Sequence, residues 1–143
     1  MRLHQPMTPL DALERFLAEP GIGAAVAARA VLPAREAVFA PFPEWLDQRL
    51  VGALEERGVR ALYSHQREAL DALHGGEDVV IVTPTASGKS LCYNLPVLQE
   101  VCDDPAARAL YLFPTKALSQ DQLAEFRDLS GQAGMDLSAA VYD

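Results

Sequence analysis

Apolar residues recur at helical spacing in five stretches of this chain and stand in short unbroken or nearly unbroken runs in three others. Leu10, Leu13, Phe16 and Leu17 form one stripe. That helix opens at Thr8-Pro9-Leu10-Asp11, with Thr8 at the N-cap, Pro9 in the first turn and Asp11 three residues after the cap, and Pro20-Gly21 ends it. Leu46, Leu50, Ala53 and Leu54 predict a second helix over residues 44–56, stopped by Gly58. Ala69, Leu70 and Leu73 predict a third over 67–74, broken by Gly75-Gly76. A fourth runs from Gly88 to about Cys102, with a bend expected at Pro96. The fifth carries Leu118, Leu123, Phe126 and Leu129 and ends at Gly131 and Gly134.

The unbroken runs have another meaning. Val79, Val80, Ile81 and Val82 are four consecutive β-branched residues, which suit a strand apolar on both faces and so the centre of a parallel sheet. Ala109 to Phe113 reads as a second buried strand closing a βαβ unit, and 137–142 as the start of a third. The fold class expected is therefore α/β, a parallel sheet with flanking helices preceded by a mostly helical N-terminal layer. Residues 22–32 are alanine-rich and fit a short helix or a strand equally. The prolines of 33–43 impose an extended segment. A boundary near residue 60 divides an accessory region, 1–60, from a nucleotide module, 61–143. Trp45, the only tryptophan, reads as a packing anchor for the accessory layer.

Chemistry gathers where the first strand hands over to the fourth helix. Thr83-Pro84-Thr85-Ala86-Ser87-Gly88-Lys89-Ser90 is a small-residue loop between strand and helix. Its backbone N–H groups would converge on an anion, aided by the helix dipole, and Gly88 permits close approach of the main chain. Lys89 would reach the β- and γ-phosphates of a triphosphate, and Ser90 would offer its hydroxyl to Mg²⁺. Thr83 stands where the usual pattern has its first glycine, and Ala86 where many such loops have another.

Composition narrows the field. At 143 residues, 50% apolar and 7% aromatic, the chain can bury one real core. No uncharged apolar run is long enough to span a membrane, and the N-terminus lacks a secretory apolar core. Two cysteines, Cys92 and Cys102, build neither a disulfide framework nor a zinc site, so a cytoplasmic setting is expected. The net charge of −8 is uneven: residues 1–60 hold 7 basic and 8 acidic side chains, residues 61–143 hold 5 and 12. A broad electrostatic grip on nucleic acid is thereby disfavoured, whereas local phosphate contacts through backbone N–H groups and helix ends remain open.

Three stations in order resemble superfamily 2 helicases of the DEAD/DEAH-box type. Tyr63-Ser64-His65-Gln66 resembles the Q motif, Thr83 to Ser90 motif I, and Pro114-Thr115-Lys116-Ala117-Leu118 with Gln120 and Gln122 motif Ia. The wording is most similar to a branch of 3′ to 5′ DNA helicases that includes the bacterial mitomycin repair factor helicases and their fungal RecQ4-like relatives. The resemblance covers roughly residues 36–143 and implies the N-terminal portion of a first RecA-like domain. It implies that Gln66 bonds the adenine edge with Tyr63 beside the base. Thr85, Ala86, Ser87 and Gly88 would wrap the phosphates, with Lys89 and Ser90 serving catalysis. Pro114, Thr115 and Lys116 would touch the backbone of single-stranded or partly duplex DNA. His65 is read as structural, filling space or capping the helix.

The cofactors so implied are ATP and Mg²⁺, and a role in DNA repair follows from the resemblance alone. The acidic box, the coupling motif and a second RecA-like lobe are expected outside this chain, so the 143 residues by themselves should turn over little ATP. Terminal Asp143 is the only acid at the end of a later strand. Three alternatives stand beside the helicase reading: a non-catalytic interaction domain with a relic phosphate loop, an RNA-directed helicase, and a P-loop kinase. The last would want an acid or arginine just past the second strand, where Pro114-Thr115-Lys116 stands.

Overall fold

A computed structural model describes residues 8–28, 30, 36–84 and 87–142. The chain divides into two compact units, 1–36 and 37–143. In the first, α1 spans Pro9–Leu17. Thr8 caps it as a capping box: its hydroxyl accepts the Asp11 N–H at 3.1 Å while the Asp11 carboxylate accepts the Thr8 N–H at 3.0 Å. The stripe of Leu10, Leu13 and Phe16 is exposed. A 3-10 helix, Gly23–Ala25, follows, so the alanine-rich segment is helical for three residues and carries no strand where it is described.

The second unit is mostly helical. Its elements are β1 (Phe39–Ala40), α2 (Gln48–Glu56), β2 (Leu62–Tyr63), α3 (Ser64–His74), α4 (Lys89–Asp103) and α5 (Lys116–Gln132). Helix α2 starts at Gln48 and not at Glu44, because Asp47 caps it by accepting the Arg49 N–H at 2.8 Å. Leu50 and Leu54 of α2, Leu62 of β2, Leu70 of α3, Leu95 and Leu98 of α4 and Leu129 of α5 close into one core. Leu46 joins them from the turn before α2, and Trp45 packs against the cluster as a partly buried anchor with its ring stacked on His74. Residues 37–60 thus share a core with 61–142. Gln99 of α4 fastens the start of α2 by accepting the Asp47 N–H at 2.7 Å. Arg57 at the end of α2 bonds Asp128 and Gln132 of α5. Pro96 lies inside α4.

The parallel sheet expected from the sequence is not formed. Among the described residues the only sheet is the antiparallel pair β1–β2, in register Phe39 with Tyr63 and Ala40 with Leu62. Residues 79–82, 109–113 and 137–142 carry no ladder, so neither the βαβ unit nor the third strand exists here. Val80 and Val82 are 89% and 90% exposed, and Leu110 and Leu112 85% each. The physical reason is that β-branched and aliphatic runs favour an extended backbone and a half-buried surface, but a strand is completed by a neighbour's N–H and C=O groups. Alternate residues of these runs, Ile81, Tyr111 and Phe113, are half-buried while their neighbours stay bare.

Candidate nucleotide and nucleic-acid site

Helix α4 begins where the chain must turn sharply out of 79–84. Gly88 makes that turn with φ +71° and ψ +30°, left-handed values that an L side chain resists. A Cβ at this position would lie 2.5 Å from Gln66 Nε2. Gln66 itself is 2% exposed. Its Nε2 donates to the Gly88 carbonyl at 2.8 Å, and its Oε1 accepts the Tyr63 N–H at 2.8 Å. Beside it, His65 Nε2 lies 3.0 Å from the Ser87 carbonyl oxygen, an acceptor, so this nitrogen carries the proton. Two consecutive side chains at the start of α3 therefore hold two consecutive carbonyls of the loop.

Lys89 turns back into the loop that precedes it. Its Nζ donates to the Pro84 carbonyl at 2.7 Å and the Thr83 carbonyl at 3.0 Å, and lies 3.3 Å from both the Thr83 and Ser87 hydroxyls. Those two hydroxyls bond each other at 2.6 Å. Among the described residues every hydrogen-bond partner of the ammonium is neutral, so an anion entering the loop would meet a cation held there by exchangeable dipoles. A left-handed glycine, a lysine gathered against the loop's own oxygens and a serine hydroxyl in the next turn fit a triphosphate with its metal. Thr85 and Ala86 lie outside the described residues.

Ser90 Oγ donates to Glu125 Oε1 of α5 at 3.0 Å. One turn further along α4 the Tyr93 hydroxyl donates to the Gln122 side-chain oxygen. Burial, then the Glu125 charge, raise the Tyr93 phenol above its ordinary pKa. The Tyr111 phenol, raised by burial, donates to Asn94 Oδ1 at 3.1 Å, and Asn94 Nδ2 is a buried donor with no partner among the described residues. Burial also raises the Cys92 thiol. No motif marked Glu125, since a lone acid within an amphipathic helix has no sequence signature. Among the described residues no three of His, Cys, Asp and Glu gather in a metal-holding group, and Asp143 lies outside them.

The remaining candidates stand elsewhere on this unit. Tyr63 is 38% exposed, its ring stacked with Phe39 at 5.1 Å and with His65 at 5.7 Å. Pro114, Thr115 and Lys116 are exposed at the start of α5. Thr115 is its N-cap, accepting the Leu118 N–H at 3.3 Å. Among the described residues no helix is long and apolar enough to cross a membrane.

Comparison with known proteins gives these elements a context. The profile of the DEAD/DEAH box helicase family matches residues 63–143. An uncharacterized ATP-dependent helicase of Bacillus subtilis, YprA, is 52% identical over 109 residues, 76% of this chain and 15% of that protein. The ATP-dependent helicase Hrq1 of Schizosaccharomyces pombe is 40% identical over 68% of this chain and 9% of its own length. Hel308, an ATP-dependent DNA helicase of Pyrococcus horikoshii, is 34% identical over 68% of this chain and 14% of its length. Among solved structures, the DUF1998 helicase MrfA bound to DNA and AMPPNP superposes with a TM-score of 0.74 at 52% identity, over 76% of this chain and 15% of that one. The chain thus spans about 15% of the length of the bacterial relative it matches.

Proposed function

This chain belongs to the DEAD/DEAH box helicase family of superfamily 2, related to Hel308, Hrq1 and MrfA, and from that premise we propose that it supplies the nucleotide-holding and first DNA-contacting elements of an ATP-dependent DNA helicase or translocase. The observation that carries the reading is the junction of α3 with the loop before α4. Gln66 and His65 hold the Gly88 and Ser87 carbonyls, so the Q-motif segment and the phosphate loop are one structure.

In this reading residues 61–143 are the N-terminal portion of the first nucleotide-binding domain. Lys89 leaves the Thr83 and Pro84 carbonyls for the β- and γ-phosphates, and the loop from Thr85 to Gly88 surrounds them. Ser90 and the phosphates would hold Mg²⁺, which when bound neutralises phosphate charge. Tyr63 lies beside the base, and Gln66 bonds the adenine edge, for which its buried amide must turn from the Tyr63 N–H and the Gly88 carbonyl that it now holds. Pro114, Thr115 and Lys116 contact the DNA backbone, a local grip that suits a chain of net charge −8. The structure of MrfA with DNA and AMPPNP supports both ligands for this chain by analogy. Movement in the 3′ to 5′ direction, kinship with the RecQ4-like branch, a repair role and a second lobe outside this chain complete the proposal.

The test is ATP hydrolysis by the full-length protein with and without single-stranded DNA. Stimulation by DNA that disappears in Lys89→Ala is the expected result. Persistence of that stimulation in the variant, or a wild type that binds no ATP-Mg²⁺, would favour a relic loop in an interaction domain.

A further inference from the structure

Helices α4 and α5 are stitched together by two hydrogen bonds in antiparallel register. Ser90 pairs with Glu125; three residues on along α4, Tyr93 pairs with Gln122, three residues back along α5. Three residues is close to one turn on each helix, so both bonds lie on a single seam. The seam begins in the turn that follows the phosphate loop.

A serine hydroxyl has one proton and two lone pairs, and a carboxylate can only accept. The Ser90 proton is therefore committed to Glu125, and its lone pairs are left for another partner. Glu125 is half-buried. It stands nine residues from Lys116 on the same helix, about 14 Å along the axis at the usual rise. α5 has no proline between the two positions, so it connects them as a rigid rod.

We propose that Glu125 is a positioning residue: it orients the Ser90 hydroxyl for the divalent cation that accompanies a nucleoside triphosphate, and through α5 it couples an occupied phosphate loop to the DNA-facing end at Thr115 and Lys116. The inference rests on the function proposed above and adds to it Glu125, a residue that none of the three motifs contains, and a route between the two ligands.

The experiment uses the full-length protein and a fluorescent, non-hydrolysable ATP analogue. Binding is titrated with MgCl₂ and repeated in EDTA, and affinity for a single-stranded oligonucleotide is measured with and without the analogue. Glu125→Ala is expected to need about 10- to 100-fold more Mg²⁺ for half-saturation, the usual effect of losing a partner that orients a metal ligand. Its binding in EDTA, and its nucleotide-free DNA affinity, stay at wild-type levels, while the analogue's effect on DNA affinity shrinks. Glu125→Gln keeps an acceptor and loses the charge, so it falls between the two. Gln122→Ala breaks only the second bond and is expected to weaken the coupling to DNA without moving the Mg²⁺ half-point.

An unchanged half-point in Glu125→Ala overturns the proposal. So does an equal shift in Gln122→Ala, which would mark general loosening of the seam. If Glu125→Ala does not fold, Glu125→Gln decides, and a wild-type half-point there is the overturning result. A wild type that binds no analogue would sink the parent function as well; normal wild-type binding with indifferent variants sinks this inference alone.

Discussion

The side-chain amide of Gln66 donates to the carbonyl of Gly88, twenty-two residues later, at 2.8 Å, and that glycine sits at φ +71° with no room for a side chain. Each residue makes the other necessary. The glycine must lack a Cβ both to adopt the left-handed conformation and to let the amide approach. Gln66, 2% exposed, has in turn the loop's backbone as the partner of its amide nitrogen.

A methyl group at this position should therefore act twice. Gly88→Ala adds roughly 1–2 kcal/mol of backbone strain and drives its Cβ against Gln66 Nε2. Thermal unfolding and nucleotide-analogue binding should both weaken. Adding Gln66→Ala relieves the clash but not the strain, so the double variant should cost less than the sum of the singles. Additive losses would mean that the two residues do not meet.

The missing ladder has its own test in the 143-residue chain. Leu95→Ala removes a fully buried side chain and should cost about 2–5 kcal/mol in urea unfolding. Val82→Ala, at a residue 90% exposed, should stay within about 0.5 kcal/mol of wild type. A Val82 variant as costly as the leucine would place 79–82 in a buried sheet after all.

Acid should loosen the start of α2. The Arg49 side chain first, then the Arg49 N–H, hold the Asp47 carboxyl at a pKa of about 2, down from 3.8. A depressed folded pKa stabilises above the unfolded value, so this contribution is present above pH 3.8 and is lost as pH falls through about 2. Asparagine caps a helix about as well as aspartate, yet it does not titrate. The stability gap between wild type and Asp47→Asn should accordingly change between pH 4 and pH 2 and be flat above it. A gap that moves only above pH 5 would point to another group.

What could be read from residue order was whatever is decided locally. The Thr8–Asp11 capping box spans four residues, and it forms as its sequence implies. The apolar spacing of Leu50, Ala53 and Leu54 located α2, although Asp47 and not Glu44 sets its start. Val79 to Val82 carried only half of the information a sheet needs: extended backbone is local, whereas a ladder depends on which segment lies alongside. At the site, Gly88-Lys89-Ser90 is legible as a tripeptide opening a helix, and Tyr63 to Gln66 as a cluster opening another. That His65 and Gln66 reach Ser87 and Gly88, or that Glu125 meets Ser90, follows from how α3, α4 and α5 pack. No periodicity announces such meetings.

Thr83 gives the last prediction, because it replaces the glycine usual at the head of a phosphate loop and has acquired partners in doing so. Its carbonyl and hydroxyl both face the Lys89 ammonium, and the hydroxyl also bonds Ser87 at 2.6 Å. These contacts stabilise the loop with the lysine folded inward, so a nucleotide must displace them before the ammonium can turn to its phosphates. Valine has nearly the shape of threonine without the oxygen. Thr83→Val removes one hydroxyl partner from the inward state and leaves both carbonyls in place, a difference worth about 0.5–1.5 kcal/mol for a hydrogen bond of this kind. If the bond belongs to the nucleotide-free loop alone, the variant should bind the ATP analogue about 2- to 10-fold more tightly, as that energy converts. Calorimetric titration of wild type and variant measures it directly. Weaker binding in Thr83→Val would show instead that the hydroxyl serves the occupied loop, and that the inward lysine is no barrier to the ligand.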